Sequence, residues 1–489
     1  MSTRRLFPLP GRHHFAAALV AALAPLFFAA QAHAIPAFAR KYGTSCVTCH
    51  TVYPKLTPFG EAFRRNGYKF PGNDGDYVKQ DQVSLGQEAY KKVFPNAVWP
   101  GVIPDSVPIA IGFNGQATLH PDKNSGAAVA DNNSLFSLHD LVAEGHIWTG
   151  GSFDSDGKIT FFGEITFSSE GGVEVEHAKI LFNDLLGPQH LFNLIIGRGA
   201  QTLTSFGQHS SYVADTMMTP LGVTALFGAT EGWNVADQYN GIELNGMAGG
   251  RFIYSIGVNA GDNMDVRPTE NAYAHVGFKL GGMRLDGEGE FKGADPNKPW
   301  AETALTLDVF GYRSASHTSY AVNDNMGNPV TPQQDDTAWT VGGNARFTAG
   351  SFELNVGGYN EWHSAAQAPI AVATMDPTMP MITQGGAVKA FALYGEASYI
   401  VFPWMVPAVR VEYLDLSPTG ADTITDLKIV PGFAFLVRPN LKLGLTAQFE
   451  RANGAPPGSW DAANAFAAPP PGKTVNEIES INGSMAFAF

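Results

Sequence analysis

The sequence predicts a mainly β protein: a 16-stranded antiparallel transmembrane β-barrel, with 18 strands as the alternative, preceded by a short α-helical segment. Three observations carry this. First, only 16% of the 489 residues are charged, yet the mean hydropathy is −0.06, with 54 Gly and 33 Phe; soluble domains carry about a quarter charged residues. Second, apolar and polar residues alternate with period two in runs of about 10 residues, enough to cross a bilayer as tilted strands. Third, the connections switch between very short ones (Ala349-Gly350, Arg438-Pro439) and long polar ones (313–336, 361–388 and 451–479).

The chain opens with a targeting segment. Residues 1–14 carry Arg4, Arg5 and Arg12 and no acid, Phe15 to Ala30 is apolar, and Ala32-His33-Ala34 is a small-x-small site. This predicts a secretory signal peptide, residues 1–34, cleaved after Ala34. Losing three Arg takes the formal charge from −14 to −17. No later stretch approaches about 18 consecutive apolar residues, so no transmembrane helix is expected. Acidic residues (45) outnumber basic ones (31), which argues against a nucleic-acid partner.

Both cysteines fall in Cys46-Val47-Thr48-Cys49-His50. C-x-x-C-H is the attachment sequence of c-type haem. Each thiol forms a thioether to one vinyl group, and the adjacent His50 comes under the ring as the axial iron ligand. A thioredoxin-like dithiol would need a βαβ context, and a zinc site would need further ligands, the next His being His120. The expected cofactor is therefore one covalent haem c on Cys46 and Cys49, with His50 on the iron. The second axial ligand stays open. His120, His139, His146, His177, Met217 and Met218 are candidates, and a five-coordinate iron is the alternative. No catalytic side chain is assigned.

After the motif, Thr57 to Asn66 reads as a helix, with Pro58 in its first turn and Gly67 as its stop. Phe59 and Phe63 share a face, suited to a haem edge or to core packing. Pro71 to Asp76 reads as a turn. The Pro-rich stretch Pro95 to Pro108 marks a boundary between a haem segment, residues 35–100, and the barrel, residues 107–489. Alternation is clear at 107–119, 158–168, 283–292, 339–347 and 441–450. Charges on one face (Arg284, Asp286, Glu288, Glu290, Lys292, Arg346) suit a wet lumen, and the apolar face suits outer-membrane lipid. Seventeen segments can be read; barrels of this class have even numbers, and the miscount is expected between Gly199 and Tyr239. The chain ends on an alternating strand with Phe489, similar to the signal read by the outer-membrane insertion machinery.

With both halves in view, the chain resembles the outer-membrane fused monohaem cytochrome–porin family. The match rests on Phe38-Ala39-Arg40, Gly43, Cys46, Cys49-His50, Pro54, Leu56, Phe59-Gly60, Phe63 and Asn66-Gly67-Tyr68, about 30 residues around one C-x-x-C-H. The barrel half matches by architecture and length. The resemblance implies a cell-outer-membrane protein with its haem in or at the mouth of the barrel. It implies electron transfer from an extracellular one-electron donor such as Fe(II) to a periplasmic carrier such as a soluble cytochrome. Acids near long connections, Asp324, Asp335, Asp336 and Asp461, would draw small cations to the mouth. The alternative is a transport porin whose haem segment is a plug or docking module.

Overall fold

The structure, a computed structural model, describes residues 37–489 other than 53, 73, 85–91, 96–101, 105–107, 120–135, 139–143, 155–156, 169–171, 201–210, 213–237, 261–270, 288–296, 320–321, 324–328, 331–332, 367–369, 373–380, 384, 421–422, 439, 454–473 and 489. The expected targeting segment, residues 1–34, and the terminal Phe489 thus lie outside the described residues. Residues 36–489 form one compact unit.

Sixteen antiparallel strands close into a barrel. The first eight are β1 (Ile109–Leu119), β2 (Glu144–Ser152), β3 (Ile159–Ser168), β4 (Val173–Phe182), β5 (Asn193–Ala200), β6 (Gln238–Ala248), β7 (Phe252–Asn259) and β8 (Ala272–Gly281). The second eight are β9 (Glu302–Ser319), β10 (Gln333–Gly350), β11 (Phe352–His363), β12 (Val388–Tyr399), β13 (Met405–Pro418), β14 (Ile424–Arg438), β15 (Leu441–Asn453) and β16 (Thr474–Ala488). A two-residue strand, Phe136–Ser137, pairs with Leu119 and Thr118 at the end of β1. Each strand pairs with its sequence neighbours, and β16 closes on β1 from Ile481 opposite Leu119 to Ala488 opposite Gly112. Closure removes the open sheet edges that hydrocarbon does not tolerate.

The polarity of the wall is inverted relative to a soluble protein. On β9 the inward Thr306 and Asp308 are buried while Leu307 and Val309 are exposed. The same holds on β10, where Thr340, Asn344 and Arg346 are buried and Trp339, Val341 and Phe347 face out. Arg410, Glu412 and Asp426 are fully enclosed. An outward apolar belt around a polar interior is a surface built for lipid. Aromatic side chains mark its two rims: Trp339 lies opposite Trp362 at one end, and Phe402 stacks on Trp404 at 5.3 Å at the other.

Most connections at one end are short, at 153–158, 249–251, Ser351, 400–404 and 439–440, with 183–192 and 282–301 the exceptions; at the other end most are long, at 120–143, 201–237, 364–387 and 454–473, with 169–172 and 419–423 the exceptions. In barrels of this class the short turns face the periplasm and the long loops face outward. The chain is an outer-membrane β-barrel, with β1 starting and β16 ending at the short-turn end.

Two expectations are corrected. Over its described part the alternation at 283–292 does not mark a strand: residues 282–287 turn inward after β8, and 288–292 lie outside the described residues. There Leu285 packs on Met247 and Ile253, Arg284 pairs with Asp286, and the pattern records contacts within the short-turn end. The polar stretch 313–336 is largely strand, because β9 and β10 stay paired from Arg313–Trp339 to Ser319–Gln333. Polar residues continue a ladder there because it has climbed beyond the apolar belt.

A cation on the lipid face should be costly. Val309→Arg, toward the middle of β9, is expected to destabilise the barrel by about 2–4 kcal/mol in denaturant titrations from lipid vesicles. Unchanged stability would place that face away from lipid.

Candidate functional site

The site is the N-terminal segment, seated in the barrel at its short-turn end. It contains α1 (Ala37–Tyr42), α2 (Cys46–Cys49), α3 (Pro58–Arg65), α4 (Asp74–Tyr77) and a small ladder in which His50 pairs with Leu56. The single turn of α2 sets Cys46 and Cys49 three residues apart, on neighbouring positions of one helix face. Both are free thiols. Burial pushes Cys49 up to about 12 and raises Cys46 as well. Reactive dithiols need the opposite, a stabilised thiolate.

His50 is oriented by its own hairpin. Its Nδ1 lies 3.2 Å from the Pro54 carbonyl. With the proton there, the lone pair falls on Nε2, the tautomer that ligates a metal. Burial pushes the ring down to about 4, against the pull of the Pro54 and Lys55 carbonyls, so the imidazole is neutral near pH 7.

Helix α3 clamps the motif. Thr57 caps it, accepting from the Gly60 amide at 3.1 Å, while the Thr57 hydroxyl donates to the Thr48 carbonyl at 2.7 Å. The Thr57 amide donates to the Cys49 carbonyl at 2.9 Å. A Cβ on Gly60 would lie 2.0 Å from that carbonyl oxygen, so only glycine permits this approach. Phe59 and Phe63 pack edge-on against Phe70, and Phe63 also against Phe38 and Tyr42. Residues 74–77 form a helical turn instead of a plain turn, because Asp74 is a buried hub. It accepts from Lys41 at 2.8 Å, from the Tyr42 hydroxyl at 2.6 Å and from the Phe70 amide at 2.8 Å.

The barrel holds this segment from three sides. On the β3–β4 side, Tyr68 stacks on Phe162 at 4.6 Å and Lys69 reaches Asp184 at 3.3 Å. Gly67, at φ +76°, ends α3 and lies against Asn183. Between β8 and β9, Asn66 donates to the Asp286 carbonyl at 2.9 Å. On the β10–β11 side, Arg346 pairs with Glu61 at 2.9 Å and with Glu353 at 3.1 Å, and Lys55 pairs with Glu353 at 2.5 Å. Ser211 and Tyr212, between β5 and β6 in sequence, are buried against the wall and the segment. Ser211 and the Tyr212 amide donate to Glu396 at 2.6 and 2.7 Å, and Lys55 lies 4.5 Å from the centre of the Tyr212 ring.

Among the residues offered for the second axial position, His120, His139, Met217 and Met218 lie outside the described residues. His146 and His177 are wall residues sharing Glu164, at 3.1 and 3.6 Å. Of the lumen charges, Arg346 faces inward as expected, while Glu288, Glu290 and Lys292 lie outside the described residues. Of the acids expected in long loops, Asp324 and Asp461 lie outside them too. Asp335 and Asp336 belong to β10; Asp335 sits beside His317 at 2.7 Å, and Asp336 is buried against His363. The sequence reading missed the Lys55–Glu353–Arg346–Glu61 chain and the Asp74 hub. Partners 298 and 33 residues apart leave no local signature.

No family model matches the chain, and no curated protein matches it. Among solved structures it is similar to outer-membrane expressed OmpT of Vibrio cholerae, at 11% identity and a TM-score of 0.46, over 80% of this chain and 99% of that one. It is similar to an anion-selective porin from Comamonas acidovorans, at 12% identity and a TM-score of 0.49, over 78% and 99%. The outer membrane channel DcaP of Acinetobacter baumannii aligns at 10% identity and a TM-score of 0.43, over 78% and 97%.

Two outcomes follow from this geometry. Gly60→Ala should force α3 off α2 at a cost of about 1–3 kcal/mol, seen as protease cleavage within 43–66 that the parent protein resists. Burial alone would raise Glu61, but Arg346, with Arg65, Lys279 and Arg64, holds it down at about 2, below its ordinary 4.5. Its contribution is therefore complete above pH 4.5 and lost as pH falls through about 2. Amide protection of residues 55–65, corrected for intrinsic exchange, should hold at pH 5 and fall below about pH 4; loss already at pH 6 would contradict the pairing.

Proposed function

We propose that the chain carries one c-type haem and passes electrons across the outer membrane. Cys46 and Cys49 hold the haem through thioethers, and His50 ligates its iron. The observation that carries the reading is the combined geometry: two neutral thiols on one helical turn, then a neutral histidine oriented by a backbone carbonyl, all inside a porin-sized barrel. These donors fit the group, since thioether formation uses up both thiols and axial ligation requires an unprotonated imidazole. Bound there, the haem supplies a one-electron centre. The chain does the rest. Pro54 orients the ligand, α3 closes over Cys49, and the wall contacts keep the segment at the short-turn end. An extracellular donor such as Fe(II) gives up one electron and becomes Fe(III); a periplasmic carrier such as a soluble cytochrome takes it up.

A second reading is favoured by the barrel itself. Sixteen strands around a lumen with charges of both signs are the frame of a solute channel, for which the N-terminal segment would be a plug.

The test is direct. Protein matured in a host with the c-haem machinery should give a haem-peroxidase band on a denaturing gel, and Cys46→Ala with Cys49→Ala should remove it. Oxidised, detergent-solubilised protein mixed with Fe(II) should then show reduction of its Soret and α bands. A haem-free parent protein excludes the electron-transfer reading; a haem that Fe(II) never reduces excludes Fe(II) as donor.

A further inference from the structure

We propose that Glu353 and Arg346, on the barrel wall, are positioning residues for the iron ligand His50. This deepens the haem reading above and rests on it. His50 belongs to a hairpin whose return strand is Lys55–Leu56, and His50 itself pairs with Leu56. The carbonyl that orients its ring is that of Pro54, the residue before Lys55. Lys55 is almost fully enclosed, and its ammonium meets Glu353 at 2.5 Å. Whatever moves Lys55 moves the Pro54 carbonyl, and with it the ring and the basicity of the ligand.

The other flank of the motif is gripped by the same pair. Glu61 lies in the first turn of α3, one residue after the Gly60 that contacts the Cys49 carbonyl. Arg346 bridges Glu61 at 2.9 Å and Glu353 at 3.1 Å, one guanidinium nitrogen to each. Asn355 completes Glu353 by donating to it at 2.8 Å. The two elements that bracket Cys49-His50 are thus tied to one wall pair on adjacent strands. All four charges are at most 13% exposed at their side chains, so each carries a large desolvation cost and depends on the others. A plain anchor could bind the segment anywhere along its length. This one closes on both sides of the residue that holds the iron.

The test uses the full-length holoprotein in detergent, with Glu353→Gln, Lys55→Met, the double variant, and Glu353→Asp as the conservative rescue. Heat-modifiable migration verifies a folded barrel in each. The readouts are the haem midpoint potential and the low-temperature electron paramagnetic resonance of the ferric iron. Glu353→Gln and Lys55→Met should each shift the potential and alter the spectrum. The double variant should shift no further than the larger single one, because both act through one contact. Glu353→Asp should return toward the parent values. If Glu353→Gln fails to fold, Lys55→Met decides alone, since it leaves Glu353 its Arg346 and Asn355 contacts. Folded variants with the parent's potential and spectrum would overturn the proposal while leaving the haem reading intact. A parent protein without haem would overturn both.

Discussion

Hydrocarbon offers a backbone no hydrogen bonds, and a chain without a spanning helix can meet that constraint only by closing a sheet on itself. Everything else in this protein depends on the closure of β16 onto β1. Once the ring is shut, alternation along each strand has one outcome. Side chains such as Val309 and Val341 turn to lipid, and their neighbours Asp308 and Thr340 turn to the interior. The interior is then polar by construction, and in this chain it is also charged.

A charged interior has to be satisfied. Isolated buried charges are costly, and a pair that loses one member leaves the other uncompensated. Around Arg346 and Glu353 the wall presents one charge of each sign, and the N-terminal segment brings their complements, Glu61 and Lys55. Elsewhere the wall answers itself, as with Arg410 against Glu396 or His275 against Asp308. The segment is therefore fixed in register against the barrel by charge, and in depth by aromatic contact through Tyr68 and Phe162. Cys46, Cys49 and His50 are thus carried on elements that are themselves held in place.

Much of this was legible in the sequence. The strands at 109–119, 339–347 and 441–450 were readable because lipid on one side and polar interior on the other impose a strict period of two. The helix after the motif was readable from Thr57, Pro58 and Gly67, since caps and stops are local chemistry. The run misled at 283–287 because the short-turn end also alternates, Leu285 toward an apolar cluster and Arg284 and Asp286 toward each other. The resemblance implied a segment in or at the mouth of the barrel, but the wall residues that seat it were not readable. They depend on which wall strand the closed ring brings opposite Lys55, and only the register of β10 with β11 determines that. The boundary drawn in the Pro-rich stretch reflects the same limit: composition marks a joint between segments but not that one lies inside the other.

The lumen is occupied at its short-turn end by a segment tied to the wall around Cys49-His50. Single-channel recording of the purified full-length protein in a planar bilayer tests it most directly. Its conductance should lie far below that of an open 16-stranded pore and rise when Lys55→Met and Glu61→Gln together release the segment. An unmodified protein that conducts like an open porin, with no change in the double variant, would contradict it.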